Sequence, residues 1–149
     1  MRAIVQRVSE ARVTVGDENV GQIGPGLLVY AAAAPDDGDD DVRYISDKVA
    51  GLRIFRDAED KMNRSVLETG GSVLLVSAFT VQADARKGRR PSFDASASGE
   101  VAEPLIEKLV AAVRAHGLKV ETGRFGAYMQ VASVNDGPIC ILLDSRRTL

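Results

Sequence analysis

The sequence has little of what most enzyme centres are built from. It holds one cysteine, Cys140, one histidine, His116, and no tryptophan. A lone cysteine excludes an internal disulfide framework. A zinc site takes about three or four Cys, His or carboxylate ligands, so one Cys and one His exclude most sites of that kind. Any Ser-His-Asp or Cys-His arrangement has to use His116. No G-x-S-x-G elbow, Walker loop or G-x-G-x-x-G fingerprint occurs. No apolar run approaches the ~20 residues that span a membrane. The opening MRAIVQRV carries Arg2 and Arg7 and lacks an apolar leader with a cleavage site, so a cytoplasmic location is expected. The net charge is −2. Overall electrostatics therefore do not mark a nucleic-acid binder, and such contact requires a local patch.

What is present points to one globular domain over residues 1–149, large enough for a sizeable core. Strand signals dominate the first third. Ala3–Val8 and Arg12–Val15 read as two β-branched runs, and GDEN at 16–19 reads as a hairpin turn into Val20–Ile23. Leu27–Ala33 and Val73–Ser77 are almost wholly apolar, the pattern of strands buried on both faces. PDDGDDD at 35–41 is a helix-start signal, because acidic residues complement the positive helix end. Val42, Ile45, Val49 and Leu52 then follow at helical spacing, which predicts a helix over about 39–53. Ile54-Phe55 reads as a short strand and 56–71 mostly as loop. A second helix is predicted over about 100–116, with Pro104 near its first turn, a buried stripe of Leu105, Leu109 and Val113, and Gly117 at its end. Strands are expected at Lys119–Thr122, Met129–Val134 and Ile139–Leu143. The sum is an α+β fold, a mostly antiparallel, barrel-like sheet with two main helices.

Three stretches admit a chemical reading. VSAFT at 76–80 closes a buried strand. Ser77 and Thr80 bring hydroxyls, Phe79 an aromatic face, and backbone N–H groups at a strand end can serve an oxyanion. The plainer reading is a strand end with hydroxyls capping a turn. In ARKGRRPSF at 85–93, Arg86, Lys87, Arg89 and Arg90 form the densest basic cluster, of a kind that suits phosphates. The plainer reading is a solvated basic loop. Asn135-Asp136-Gly137-Pro138 reads locally as a hairpin corner between two strands. Cys140 is expected to pack in the core, and His116 to lie on the surface or cap its helix.

These stretches occur in an order that resembles the D-aminoacyl-tRNA deacylases of the common bacterial and eukaryotic type. The resemblance rests on MRAIVQRVSEARVTV at the start, IGPGLLV at 23–29, LRIFRD at 52–57 and KMNRSV at 61–66. ADARKGRRPSF at 83–93, ETGRFGA at 121–127 and NDGPICILLDS at 135–145 complete it. It implies hydrolysis of the ester between a D-amino acid, or glycine, and tRNA, with no cofactor and no metal. It implies a homodimer with sites at the subunit interface. The S-Q-F-T motif of the family falls on Ser77, Ala78, Phe79 and Thr80. Its Gly-cisPro motif, inserted from the other subunit to read chirality, falls on Gly137 and Pro138. Phe125 and Met129 are expected beside the substrate, and Arg86, Lys87, Arg89 and Arg90 on the tRNA. Hydrolysis is expected to lean on the 2′-hydroxyl of the terminal adenosine. The chain departs from the pattern at Ala78 (usually Gln), Cys140 (usually Thr) and Tyr128 (commonly Asp). Those departures motivate a second expectation, an aminoacyl-tRNA-binding homologue with weakened or altered deacylase activity.

Overall fold

In the computed structural model, which describes residues 1–149, one long strand organises the molecule. β1 (Arg2–Val15) merges the two runs expected at Ala3–Val8 and Arg12–Val15. One of its edges pairs with β3 (Gly26–Ala32) along its first half and with β2 (Glu18–Ile23) along its second. Along its other edge runs β8 (Gln130–Asp144). β6 (Ser72–Ser77) and β7 (Val120–Thr122) continue the sheet parallel to β3, in the order β2-β1-β3-β6-β7. Antiparallel pairing predominates, and the sheet curls until its two ends nearly meet. Gly21 of β2 lies so close to β7 that a Cβ there would sit 2.3 Å from the Thr122 carbonyl oxygen. Only glycine permits that approach.

The curl explains the apolar strands. Leu27, Val29 and Ala31 of β3, with Val73 and Leu75 of β6, face the helices. The alternate residues Leu28, Leu74 and Val76 face the inside of the curl with Val8, Val13 and Ile23. Both faces are buried, so the usual apolar-polar alternation disappears. α1 (Asp39–Gly51) and α3 (Gly99–Ala115) cover the outer face with Val42, Ile45 and Val49 from one and Leu105, Leu109 and Val113 from the other. At the start of α1 the Gly38 N–H donates to the Asp41 carboxylate at 2.9 Å.

The structure corrects several expectations. Residues 56–71 are not mostly loop. β4 (Phe55–Arg56) and β5 (Met62–Arg64) form a small hairpin, and α2 (Val66–Thr69) adds a third helix of one turn. Ser65 and Glu68 cap α2 reciprocally, an S-x-x-E signature present in the sequence. The short strand lies at Phe55–Arg56 rather than Ile54-Phe55. Pro104 stands in the second turn of α3, because the helix begins at Gly99, one residue earlier than expected. Asn135-Asp136-Gly137-Pro138 is not a hairpin corner, because Met129–Val134 and Ile139–Leu143 belong to one strand that keeps its direction along β1. Val8 pairs with Asn135 and Gln6 with Cys140. Between those pairs β1 carries only Arg7, whereas β8 carries Asp136, Gly137, Pro138 and Ile139. The surplus is a bulge. Cys140 is exposed rather than packed in the core, because it shares the outward face of β8 with Leu142 while Ile139, Ile141 and Leu143 turn inward.

Candidate active site

β6 delivers Ser77 to the end of the sheet, paired with Ala31. The next N–H, that of Ala78, still donates to the Ala31 carbonyl at 2.9 Å. There the strand stops and the chain coils into a 3₁₀ turn over Phe79–Gln82. The Val81 N–H closes that turn onto the Ala78 carbonyl. The N–H groups of Phe79 and Thr80 precede this first bond, so the turn itself offers them no acceptor. Gln82 anchors the turn from below. It is buried, and its amide donates to the Ala32 carbonyl at 3.1 Å. Ser96 donates to the Phe79 carbonyl at 2.9 Å. The Phe79 ring, 56% exposed, meets Phe93 edge-on at 5.1 Å.

This turn forms one wall of a groove of ≈ 620 Å³. Ser77, Ala78, Phe79 and Thr80 share it with Phe125 and Met129, so the structure brings six of the expected site residues together. Tyr30, which sequence reasoning missed, also lines it, and burial pushes its phenol above the usual value. Tyr128 stands on the rim, 89% exposed. These two tyrosines are the only ionisable side chains in the lining. His116 lies elsewhere, at the C-cap of α3, within 3.1 Å of Asp47 on α1.

Gly137 and Pro138 do not line this groove. Their peptide bond is cis, and Gly137 borders a separate hollow with Arg7, Phe55, Arg56 and Asp136. The bulge is tied from both sides. The Asn135 side-chain oxygen accepts from the Ile139 N–H at 3.0 Å. Arg7, 4% exposed, donates from Nε to the Asp136 carbonyl at 2.9 Å and from Nη1 to the Ile54 carbonyl at 2.7 Å. Sequence reasoning also missed Arg7. The available signal was parity, since Arg7 follows Ala3 and Val5 on the buried face of β1, where a charge demands partners.

The basic loop begins where the 3₁₀ turn ends. Asp84 and Ser92 exchange backbone hydrogen bonds, both of 2.8 Å, across its base. Arg86 folds back onto the Asp84 carboxylate, and its hydrogen bonds hold that carboxyl far below the usual range. Lys87, Arg89 and Arg90 occupy the exposed tip.

The family model described as D-Tyr-tRNA(Tyr) deacylase matches residues 4–144. A D-aminoacyl-tRNA deacylase of Symbiobacterium thermophilum is 57% identical over 99% of this chain and 98% of its own length. One from a Roseiflexus species is 54% identical over 97% of this chain and 94% of its own length. Among solved structures, a c-Myc DNA unwinding element binding protein superposes with a TM-score of 0.91 at 36% identity, covering 97% of this chain and 98% of its own. A probable eukaryotic D-amino acid tRNA deacylase shares the fold, with a TM-score of 0.81 at 20% identity over 95% and 97% of the two chains.

Proposed function

Since the chain belongs to the D-Tyr-tRNA(Tyr) deacylase family, we propose that it hydrolyses the ester joining a D-amino acid, or glycine, to tRNA. The action is expected in the cytoplasm and as a homodimer. The observation that carries this reading is the groove. It pairs an apolar lining and two backbone N–H groups to which the 3₁₀ turn offers no acceptor with the absence of any carboxylate, imidazole or amine. Such a site positions and polarises rather than exchanging protons itself.

In the proposed reaction the acyl carbonyl lies against the N–H groups of Phe79 and Thr80. Water attacks the carbonyl carbon, and the oxygen that gains charge is met by those two donors. The carbon–O3′ bond then breaks, and O3′ takes a proton relayed from the water by the neighbouring 2′-hydroxyl. Thr80 is not assigned as nucleophile, because no base in the groove lining activates its hydroxyl. The bulge bearing Gly137 and Pro138 acts on the partner's groove, where its carbonyls exclude the side chain of an L-amino acid. Two features support exchange between subunits. Neither residue lines its own chain's groove, and β8 presents Val134 and Leu142 outward, 49% and 57% exposed.

Incubation with D-Tyr-, Gly- and L-Tyr-tRNA tests the proposal. D-Tyr- and Gly-tRNA are expected to lose their amino acid while L-Tyr-tRNA survives, and equal failure on all three overturns it. One observation favours a second reading. Ala78 lines the groove where the family pattern has Gln, and a protein that binds aminoacyl-tRNA with weakened turnover follows if that amide is essential. Binding without hydrolysis, partly rescued by Ala78→Gln, is its signature.

A further inference from the structure

The four cations of the basic loop are equivalent in sequence and unlike in structure. The Arg86 backbone N–H donates to Asp84 Oδ1 at 3.0 Å, Nε to the same oxygen at 2.9 Å and Nη2 to Oδ2 at 2.7 Å. This bidentate pair cancels its own charge and uses the face of the guanidinium that grips an oxyanion. The Asp84 carboxylate holds the residue two places on, just inside the backbone bridge from Asp84 to Ser92. The base of the loop is thereby closed by backbone and side chain together. Beyond it Gly88 turns the chain with φ +67 and open space around it. Lys87, Arg89 and Arg90 make no ion pair with any carboxylate of the chain. No other stretch of four residues carries three such free cations.

The loop is also fixed to the groove. It leaves directly from the 3₁₀ turn, and its far end returns through Phe93, which packs on Phe79, and Ser96, which bonds the Phe79 carbonyl. A polyanion held at the tip is thus held in register with the acyl site. We propose that Lys87, Arg89 and Arg90 contact backbone phosphates of the tRNA near its acylated end. Arg86 makes no such contact and is instead a positioning residue that shapes the loop through Asp84. The assignment rests on aminoacyl-tRNA being the substrate.

Phosphate contacts reveal themselves by counterion release, so the slope of log affinity against log salt counts them. The test is fluorescence anisotropy with a deacylated tRNA-Tyr transcript over about 50–200 mM KCl. Lys87→Ala, Arg89→Ala and Arg90→Ala should each lower the slope by ~0.7–0.9. The neutral double variant D84N/R86Q should leave the slope at the wild-type value, with any loss of affinity the same at every salt concentration. A slope reduced by D84N/R86Q as much as by Lys87→Ala overturns the assignment, and so does an unchanged slope in all three tip variants. Circular dichroism of each variant separates these outcomes from misfolding. Failure of the deacylase reading looks different, because wild type then spares D-Tyr-tRNA whatever the slopes do.

Discussion

The end of β6 and the bulge in β8 are both places where a strand breaks its pattern, and they break it in opposite senses. At Ser77 the strand stops. The 3₁₀ turn that follows is pinned by Gln82 and Ser96 and curls over an apolar hollow of its own chain. At Asn135 the strand keeps its direction and swells outward. That bulge is pinned just as firmly by Arg7 and Asn135, yet the hollow it borders holds Arg7, Arg56 and Asp136 and lies apart from the groove. One feature is a floor with something above it, and the other is a rigid projection with nothing of its own chain to act upon. Equal anchoring with unequal surroundings fits the proposal that the site is divided between two chains.

The comparison breaks most severely at Arg7. Arg7→Ala leaves the buried Ile54 carbonyl and the part-buried Asp136 carbonyl without their donor, costing about 2–4 kcal/mol by chemical denaturation. Release of the bulge should lower kcat/KM on D-Tyr-tRNA ~100-fold, with Arg7→Lys intermediate. Activity of Arg7→Ala within about threefold of wild type would separate the bulge from catalysis.

The proposed division between chains is tested by mixing. Gly137 has φ +144, and a Cβ there would stand 2.8 Å from Ile139 Cγ1 and 3.2 Å from Arg7 Nη2. Gly137→Ala should therefore displace the bulge and leave the floor intact, whereas Phe79→Ala damages the floor alone. Each homodimer is expected to be nearly inactive. An equimolar mixture after subunit exchange should recover about a quarter of wild-type sites, because each mixed dimer has one intact site. Recovery of nothing, with exchange verified by mass spectrometry, would place both elements in the same chain's site.

Two milder changes probe what side chains add. Ala78→Gln should alter kcat by no more than ~3-fold, because the donors to the oxyanion are assigned to the N–H groups of Phe79 and Thr80 and not to the side chain at 78. A gain above ~30-fold would favour the reading of a weakened homologue. The smallest effect belongs to Tyr128→Asp, which replaces an almost fully exposed side chain. A change in kcat/KM under ~2-fold is expected from steady-state kinetics.

Most of the fold was legible because local pattern and tertiary role agree. Val42, Ile45 and Val49 read as a helix face and form one, and the unbroken apolar runs of β3 and β6 read correctly as strands buried twice. Ser77 and Phe79 stood out together in the local stretch VSAFT, whereas Phe125 and Met129, more than forty residues on, were joined to them by the resemblance alone, because no spacing rule links the two stretches. The bulge was illegible for a physical reason. Asn-Asp-Gly-Pro is turn chemistry, and it becomes a bulge only because β1, more than a hundred residues earlier, pairs on both sides of it. The outward face of Cys140 and Leu142 was hidden similarly. Ile-Cys-Ile-Leu-Leu looks buried on both sides, and only the edge position of β8 leaves one face open.

The near-contact at Gly21 carries a consequence for motion. β2 and β7 are the two ends of the sheet order and are not joined by a ladder of hydrogen bonds, so the curl is shut along a seam by the close approach at Gly21 and by the exposed ion pair of Arg124 with Glu18 at 3.0 Å. A seam of this kind opens more cheaply than a bonded strand pair, and amides beside it exchange with solvent sooner than those of β1 or β3. β7 leads through Gly123 into Phe125–Met129, the far wall of the groove. Amides of residues 120–129 are therefore expected to exchange sooner than those of the 3₁₀ turn, as hydrogen exchange would show. The groove is thus bounded by two unlike walls, one continuing from the strand at the seam and one, the 3₁₀ turn, pinned by Gln82 and Ser96.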